Sequence, residues 1–173
     1  MTDSTVDGAP LLPAVVVVAS NRAAAGVYDD TTGPVIVEAL TRWGFDVGDP
    51  VVVPDGDPVE QALRDAVTAG ARAVLTTGGT GLTPTDRTPE ATAAVLDRQA
   101  PGIAEAIRAH GAAKGVPTAA LSRGLAGVAG QALIVNLPGS RGGVKDGLAV
   151  LEPILRHAVE QVVGSDHRAG GGA

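Results

Sequence analysis

The sequence predicts an α/β protein of three layers, α/β/α, built on a doubly wound, mostly parallel sheet with one small antiparallel hairpin. Three observations carry that expectation. Short β-branched runs alternate with helical stretches along the chain, the rhythm of strands joined by crossover helices. The first run, Ala14–Ala19 (AVVVVA), is apolar without a break, as a strand covered on both faces must be. Of the 173 residues, 45% are hydrophobic although only 2% are aromatic, so a single core can be built from Val, Leu, Ile and Ala.

The elements follow in order. After Ala14–Ala19 comes a helix over Pro34–Trp43, with Thr32 as capping candidate, Pro34 in the first turn and Gly44 as the stop. Val51–Val53 is the second strand. Asp57 is the expected N-cap of a helix that runs through Ala69 and closes at Gly70. Ala73–Thr77 (AVLTT) is the third strand and leads into a glycine-rich turn. Thr88-Pro89-Glu90 opens another helix, and Ile103–Ala113 forms a further one beyond Pro101-Gly102. The hairpin is assigned to Pro117–Gln131. Leu133–Leu137 (LIVNL) is a later strand that breaks at Pro138-Gly139, and Lys145–Val163 is a closing helix that Pro153 kinks or divides. The expected organisation is one domain over residues 13–164 between disordered tails at 1–12 and 165–173.

Composition excludes several classes of function. The 13 basic and 19 acidic residues give a net charge of −6, which argues against attraction to nucleic-acid backbone or anionic lipid. Without cysteine there is no disulfide framework, thiol nucleophile or cysteine metal site. His110, His157 and His167 are too dispersed to suggest a zinc motif, and Ser20, Ser122 and Ser140 have no histidine close in sequence. The apolar run Leu11–Ala19 is interrupted by Pro13 and falls short of the ~20 residues of a membrane span. Met1–Asp7 carries two acids and no base, unlike a signal peptide, so a cytoplasmic location is expected.

Right-handed crossovers place the strand exits of such a sheet on one edge, where these folds bind ligands. Four exits carry polar groups: Ser20-Asn21-Arg22, Asp55, Thr76-Thr77-Gly78-Gly79-Thr80-Gly81, and Asn136 to Ser140. Glycines at a strand exit let backbone N–H groups wrap an anion, although a bare glycine turn is the plainer reading. The turn is neither a Walker A loop nor a dinucleotide fingerprint, because it lacks Gly-Lys-Ser/Thr and the Gly-x-Gly-x-x-Gly spacing. Asp55 and Asp86 each lie a few residues past a strand end. Taken singly, either is an ordinary loop aspartate. Together beside a phosphate cradle, they are what Mg²⁺-dependent nucleotidyl or phosphoryl transfer uses. Arg87, Arg123, Arg141 and Lys145 are the basic candidates for neutralising bound phosphates.

These residues resemble a known family. The turn Thr76–Gly81 with Pro84-Thr85-Asp86-Arg87-Thr88-Pro89-Glu90-Ala91, then Leu121-Ser122-Arg123 and Ala132 to Ser140, is similar to the signature of molybdenum-cofactor biosynthesis proteins of the MogA/MoaB type. Val18 to Arg22 and Gly26 to Asp30 fit as well. The resemblance covers about Ala14 to Val163. It implies a molybdopterin adenylyltransferase, which moves AMP from ATP to the terminal phosphate of molybdopterin and releases pyrophosphate. A non-catalytic molybdopterin carrier or scaffold, or a nucleotide pyrophosphatase-like relative, is the alternative. By the same resemblance Asp55 and Asp86 are the catalytic carboxylates and the Mg²⁺ ligands. Gly78, Gly79, Thr80 and Gly81 become the anion-binding turn, and Ser20, Ser122, Asn136, Pro138 and Gly139 line the pterin or nucleotide pocket. Thr76, Arg123 and Ser140 complete the expected binding set. A homotrimer or a hexamer of two trimers is implied, with the molybdate-insertion enzyme as a further partner. Asn21 departs from the pattern, since many relatives carry Asp there. Within Thr76–Lys145, seven basic residues stand against four acidic ones, so this acidic protein holds a locally cationic stretch suited to polyanionic substrates.

Overall fold

The structure, a computed structural model, describes residues 5–6 and 9–164. Thr5–Val6 (β1) and Ala9–Pro10 (β2) pair antiparallel as a ladder of their own, within the stretch expected to be a tail. The expectations for residues 1–4, 7–8 and 165–173 lie outside the described residues.

The first core strand is Leu12–Ala19 (β3), two residues longer than its unbroken apolar run. Two short elements that the sequence reading passed over follow: the one-turn helix Asn21–Ala24 (α1), and, after Gly33–Arg42 (α2), the strand Phe45–Val47 (β4). The N-terminus of α2 is held by Asp30, not by the Thr32 side chain. Asp30 Oδ1 accepts from the N–H groups of Thr32 and Gly33, each at 3.0 Å, because a carboxylate two residues upstream can reach both free donors. Val51–Val53 (β5) and Ala73–Thr77 (β6) match expectation, and between them lies Asp57–Thr68 (α3). Asp57 falls inside the first turn of α3; the cap position belongs to Gly56 at φ +94°. Thr88–Ala93 (α4), Arg98–Gln99 (β7) and Pro101–Ala113 (α5) come next, followed by a 3₁₀ turn over Pro117–Leu121. Ala126–Ala129 (β8) and Ala132–Leu137 (β9) then form the hairpin, so its second arm is the strand predicted over Leu133–Leu137, not a partner within Pro117–Gln131. The long closing helix is divided into Arg141–Leu151 (α6) and Leu155–Val162 (α7). It begins four residues earlier than expected because Ser140 Oγ accepts from the N–H of Gly143 at 3.1 Å and caps it.

The main sheet has seven strands in the order β4-β3-β6-β9-β8-β7, with β5 also beside β3. β3, β4, β5, β6 and β9 run parallel, while β8 is antiparallel to both β9 and β7. Alternation along the strands sorts the core into two layers. Val16, Val18, Leu75, Val135 and Leu137 face α2, α6 and α7 through Ile36, Leu40, Val144, Leu151 and Val159. Val17, Val74 and Ile134 face α3 through Val59, Leu63 and Ala66. Each such aliphatic side chain, fully withdrawn from water, contributes about 1.5–3 kcal/mol. Among the described residues no helix is long and apolar enough to cross a membrane.

Candidate active site

Strand register decides where the chemistry collects. Ala19 pairs with Val53, Val18 with Thr77, and Thr77 with Leu137, so β3, β5, β6 and β9 end along one edge. The loops leaving that edge carry Ser20, Asp55, Gly78–Gly81 and Pro138–Ser140. Thr77 Oγ1 donates to the Pro138 carbonyl at 2.7 Å and ties two of these exits together.

The glycine turn is built by close approach. Gly78 and Gly79 hold φ of +90° and +66°. A Cβ on Gly78 would sit 2.2 Å from the Ala19 carbonyl oxygen; one on Gly79 would sit 2.3 Å from Thr88 Oγ1 and 2.6 Å from Asp55 Oδ1. A Cβ on Gly81 would in turn lie 2.8 Å from Asp86 Oδ2. The two aspartates therefore bracket the turn, Asp55 against Gly79 and Asp86 against Gly81.

Their environments differ. Asp86 Oδ2 accepts from Thr83 N at 3.0 Å and Thr83 Oγ1 at 2.7 Å, which fixes its loop. Asp55 Oδ1 and Thr88 Oγ1 are buried and have no hydrogen-bond partner among the described residues. Burial pushes the Asp55 carboxyl above the usual aspartate range; a backbone hydrogen bond from Asn21 opposes the rise and the nearby Asp86 charge adds to it. Asn21 contributes further through its side chain, since its Oδ1 accepts from the N–H of Asp55 at 3.0 Å. The amide thus orients the Asp55 loop without adding a third carboxylate to the edge.

Two cavities of about 350 Å³ each open on either side of the turn. Thr80, Gly81, Ser122, Pro138 and Ser140 line the first; Ser20, Thr77, Gly78 and Asp55 line the second. Gly79, Asp86 and Gly139 line both.

Residues 15–157 match the profile of a domain family described as a probable molybdopterin binding domain. The chain belongs to this family. It is 36% identical over 151 residues to the molybdopterin adenylyltransferase of Helicobacter pylori (strain J99), covering 85% of each chain. It is 38% identical over 155 residues to the molybdenum cofactor biosynthesis bifunctional protein of Synechococcus elongatus, covering 89% of this chain but only 48% of that one. The chain thus spans about half the length of that bifunctional relative. Among solved structures, the molybdopterin biosynthesis Mog protein from Mycobacterium ulcerans superposes with a TM-score of 0.85 at 52% identity, covering 90% of this chain and 99% of that one.

Three of the residues expected to bind ligand in this molybdopterin-binding domain line neither cavity. Asn136 is 3% exposed: its amide donates to Thr76 Oγ1 at 3.0 Å and Thr92 Oγ1 at 2.9 Å, and its Oδ1 accepts from Leu125 N at 2.9 Å. Asn136 and Thr76 thereby form an internal polar bridge between β6, β9 and α4, and a saturated, buried amide has nothing left for a ligand. Arg123 is committed to the backbone. It donates to the carbonyls of Gly81 at 2.8 Å and Asp86 at 2.7 Å and pairs with Glu90, whose carboxyl it holds below the usual range. This guanidinium clamps the two halves of the signature loop. Arg123→Met should therefore cost about 1–3 kcal/mol, because it leaves two carbonyls without their donors. Arg123→Lys should recover little of that, since an ammonium cannot reproduce the fork. Urea unfolding midpoints check both.

The other basic candidates are dispersed. Arg87 borders a shallow cavity beside Asp55, Lys145 lines a separate groove with Trp43, and Arg141 opens α6. The family signature did not point to Arg108 or Asp146, which line the first cavity from α5 and α6; Tyr28, within the stretch Gly26 to Asp30 that fits the family, lines the second beneath Arg22. Arg108 and Asp146 sit alone in amphipathic helices, where no local spacing marks them.

Proposed function

We propose that the protein is a molybdopterin adenylyltransferase, transferring AMP from ATP to the terminal phosphate of molybdopterin with release of pyrophosphate. The observation that carries this reading is the pair of adjoining cavities that share Gly79, Asp86 and Gly139: two ligands placed in them meet beside the two carboxylates. The curated relative from Helicobacter pylori that bears this activity in its name is matched over most of its length.

The acceptor phosphate is itself the nucleophile, so no side chain has to form a covalent intermediate. An oxygen of the pterin phosphate attacks the α-phosphorus of ATP, and the bond to the bridging oxygen breaks as pyrophosphate leaves. Among the described residues no backbone carbonyl takes the N–H groups of Gly79, Thr80 and Gly81, which are available to a phosphate between the cavities. The residues also fit Mg²⁺, a cation that takes hard oxygen ligands. Asp55 and Asp86 would hold it, and the buried, unpartnered Asp55 Oδ1 and Thr88 Oγ1 are oxygen atoms of the required kind. When bound, Mg²⁺ supplies charge neutralisation of the phosphates. A homotrimer or a dimer of trimers is the assembly that goes with this reading.

Purified protein given Mg²⁺ and ATP should release pyrophosphate only when molybdopterin is added. Asp86→Asn should keep the fold and still bind molybdopterin, yet release pyrophosphate on the order of 100-fold more slowly. Full activity in that variant would remove Asp86 from the mechanism. Release without any pterin requirement would make the protein a pyrophosphatase.

A further inference from the structure

The first cavity carries a carboxylate that adenylyl transfer, as derived above, leaves unused. Asp146 lines the cavity from α6, among the aliphatic side chains of Ile107, Val116, Ala119 and Leu121 and the polar ones of Arg108 and Ser122. Its side chain is 17% exposed. Lys114 Nζ lies 3.3 Å and His110 Nε2 3.9 Å away, both from Oδ1. Lys114 is 58% exposed, and an ion pair to so exposed an ammonium stabilises little. No protein donor among the described residues reaches Oδ2. A carboxylate on a cavity wall with one oxygen unengaged by protein is free to accept from a molecule bound there.

A carboxylate accepts and never donates, so what it recognises must present N–H groups, and two adjacent ones match it best. The aminopyrimidinone ring of a pterin has that edge: a ring N–H beside an exocyclic amine. The corresponding edge of adenine places an amine beside a ring-nitrogen lone pair, which would face the carboxylate with repulsion. Position agrees with chemistry. Asp146 lies six residues past Ser140, roughly 9 Å along the helix axis, and the loop before that helix carries Gly139, which lines both cavities. A pterin ring held at Asp146 therefore extends its phosphate-bearing side towards Asp86.

We propose that Asp146 is the residue that selects the pterin, reading its aminopyrimidinone edge in the first cavity. The second cavity, with Ser20, Arg22, Tyr28 and Asp55, is then left for ATP. This rests on the adenylyltransferase reading, and two measurements keep the failures apart. In steady-state assays Asp146→Asn should raise KM for molybdopterin about 10- to 100-fold and leave KM for ATP unchanged, because a site built for two N–H donors loses one acceptor. Asp146→Glu should recover part of the loss, and Lys114→Ala, which removes the exposed partner only, should change neither KM. Titration of the protein with molybdopterin without ATP, followed by pterin fluorescence, should show the same ranking of the variants. An unchanged molybdopterin affinity in folded Asp146→Asn, or a rise confined to KM for ATP, overturns the assignment of Asp146. Wild-type protein that binds molybdopterin through Asp146 but makes no adenylated product leaves this inference standing and overturns the transferase reading.

Discussion

Asp55→Asn should melt at a higher temperature than the wild-type protein when both are free of metal and nucleotide, and should transfer AMP on the order of 100-fold more slowly or worse. Opposite signs on stability and activity follow from one feature. The Asp55 side chain is half-buried, with Oδ1 buried against Gly79 and without a partner among the described residues, and it lies near the charge of Asp86, so the folded state raises its pKa. A group whose pKa is higher folded than unfolded costs stability at pH values above both, and the cost shrinks as pH falls through the folded value. The melting-temperature gap between Asp55→Asn and wild type should therefore be largest at neutral pH and close in mild acid. Added Mg²⁺ should stabilise wild type and not the variant, since ligand binding to the folded state alone raises stability. Such a site trades stability for function. A variant less stable than wild type at pH 7 would show that the Asn21 and backbone contacts outweigh the desolvation.

Gly78→Ala should be the most damaging single substitution at the turn. The position combines φ of +90° with a Cβ that would lie 2.2 Å from the Ala19 carbonyl oxygen, a backbone atom of β3, which is paired on both sides within the sheet. Conformational strain and the backbone clash together should cost about 3 kcal/mol or more, a fall in melting temperature of roughly 6–12 °C for a chain of this size. The control is Gly102→Ala, at an exposed helical position with nothing within 4 Å of the added Cβ. There the substitution should stabilise slightly, because alanine favours helix over glycine by about 0.5–1 kcal/mol. Thermal melts of the two variants separate the demands of the turn from a general effect of losing glycine.

The parallel core was legible because its signals are local. Ala14–Ala19, Ala73–Thr77 and Leu133–Leu137 are continuous apolar runs, and glycine or proline punctuates the helices between them. The three-layer arrangement followed from their alternation, and the convergence of Asp55, Asp86 and the glycine turn followed from parallel topology. What escaped depends on contacts distant in sequence. β4 is three residues at an edge, and β8 shows itself as a strand through its pairing with β7 and β9. Asn136 and Arg123 look like ligand residues beside the turn; only the fold reveals that Thr76, Thr92 and Leu125 saturate the first and that the carbonyls of Gly81 and Asp86 engage the second. Asp146 was hidden for the converse reason, since a lone helical aspartate has no sequence context that distinguishes a cavity wall from a solvated face. The scarcity of aromatics does reappear in the structure: the first cavity is walled by Ile, Val, Ala and Leu side chains, while the chain's one tyrosine lies at the second.

The central claim is that one edge of the sheet joins AMP to molybdopterin. Its most direct test is to follow ATP labelled in the α-phosphate through incubation with the purified protein, Mg²⁺ and molybdopterin. The label should appear in a pterin product, with one pyrophosphate released per label transferred, and Asp55→Asn and Asp86→Asn should slow the transfer on the order of 100-fold while still binding pterin. Molybdopterin that stays bound with all of the label left in ATP would contradict the account and make the protein a carrier.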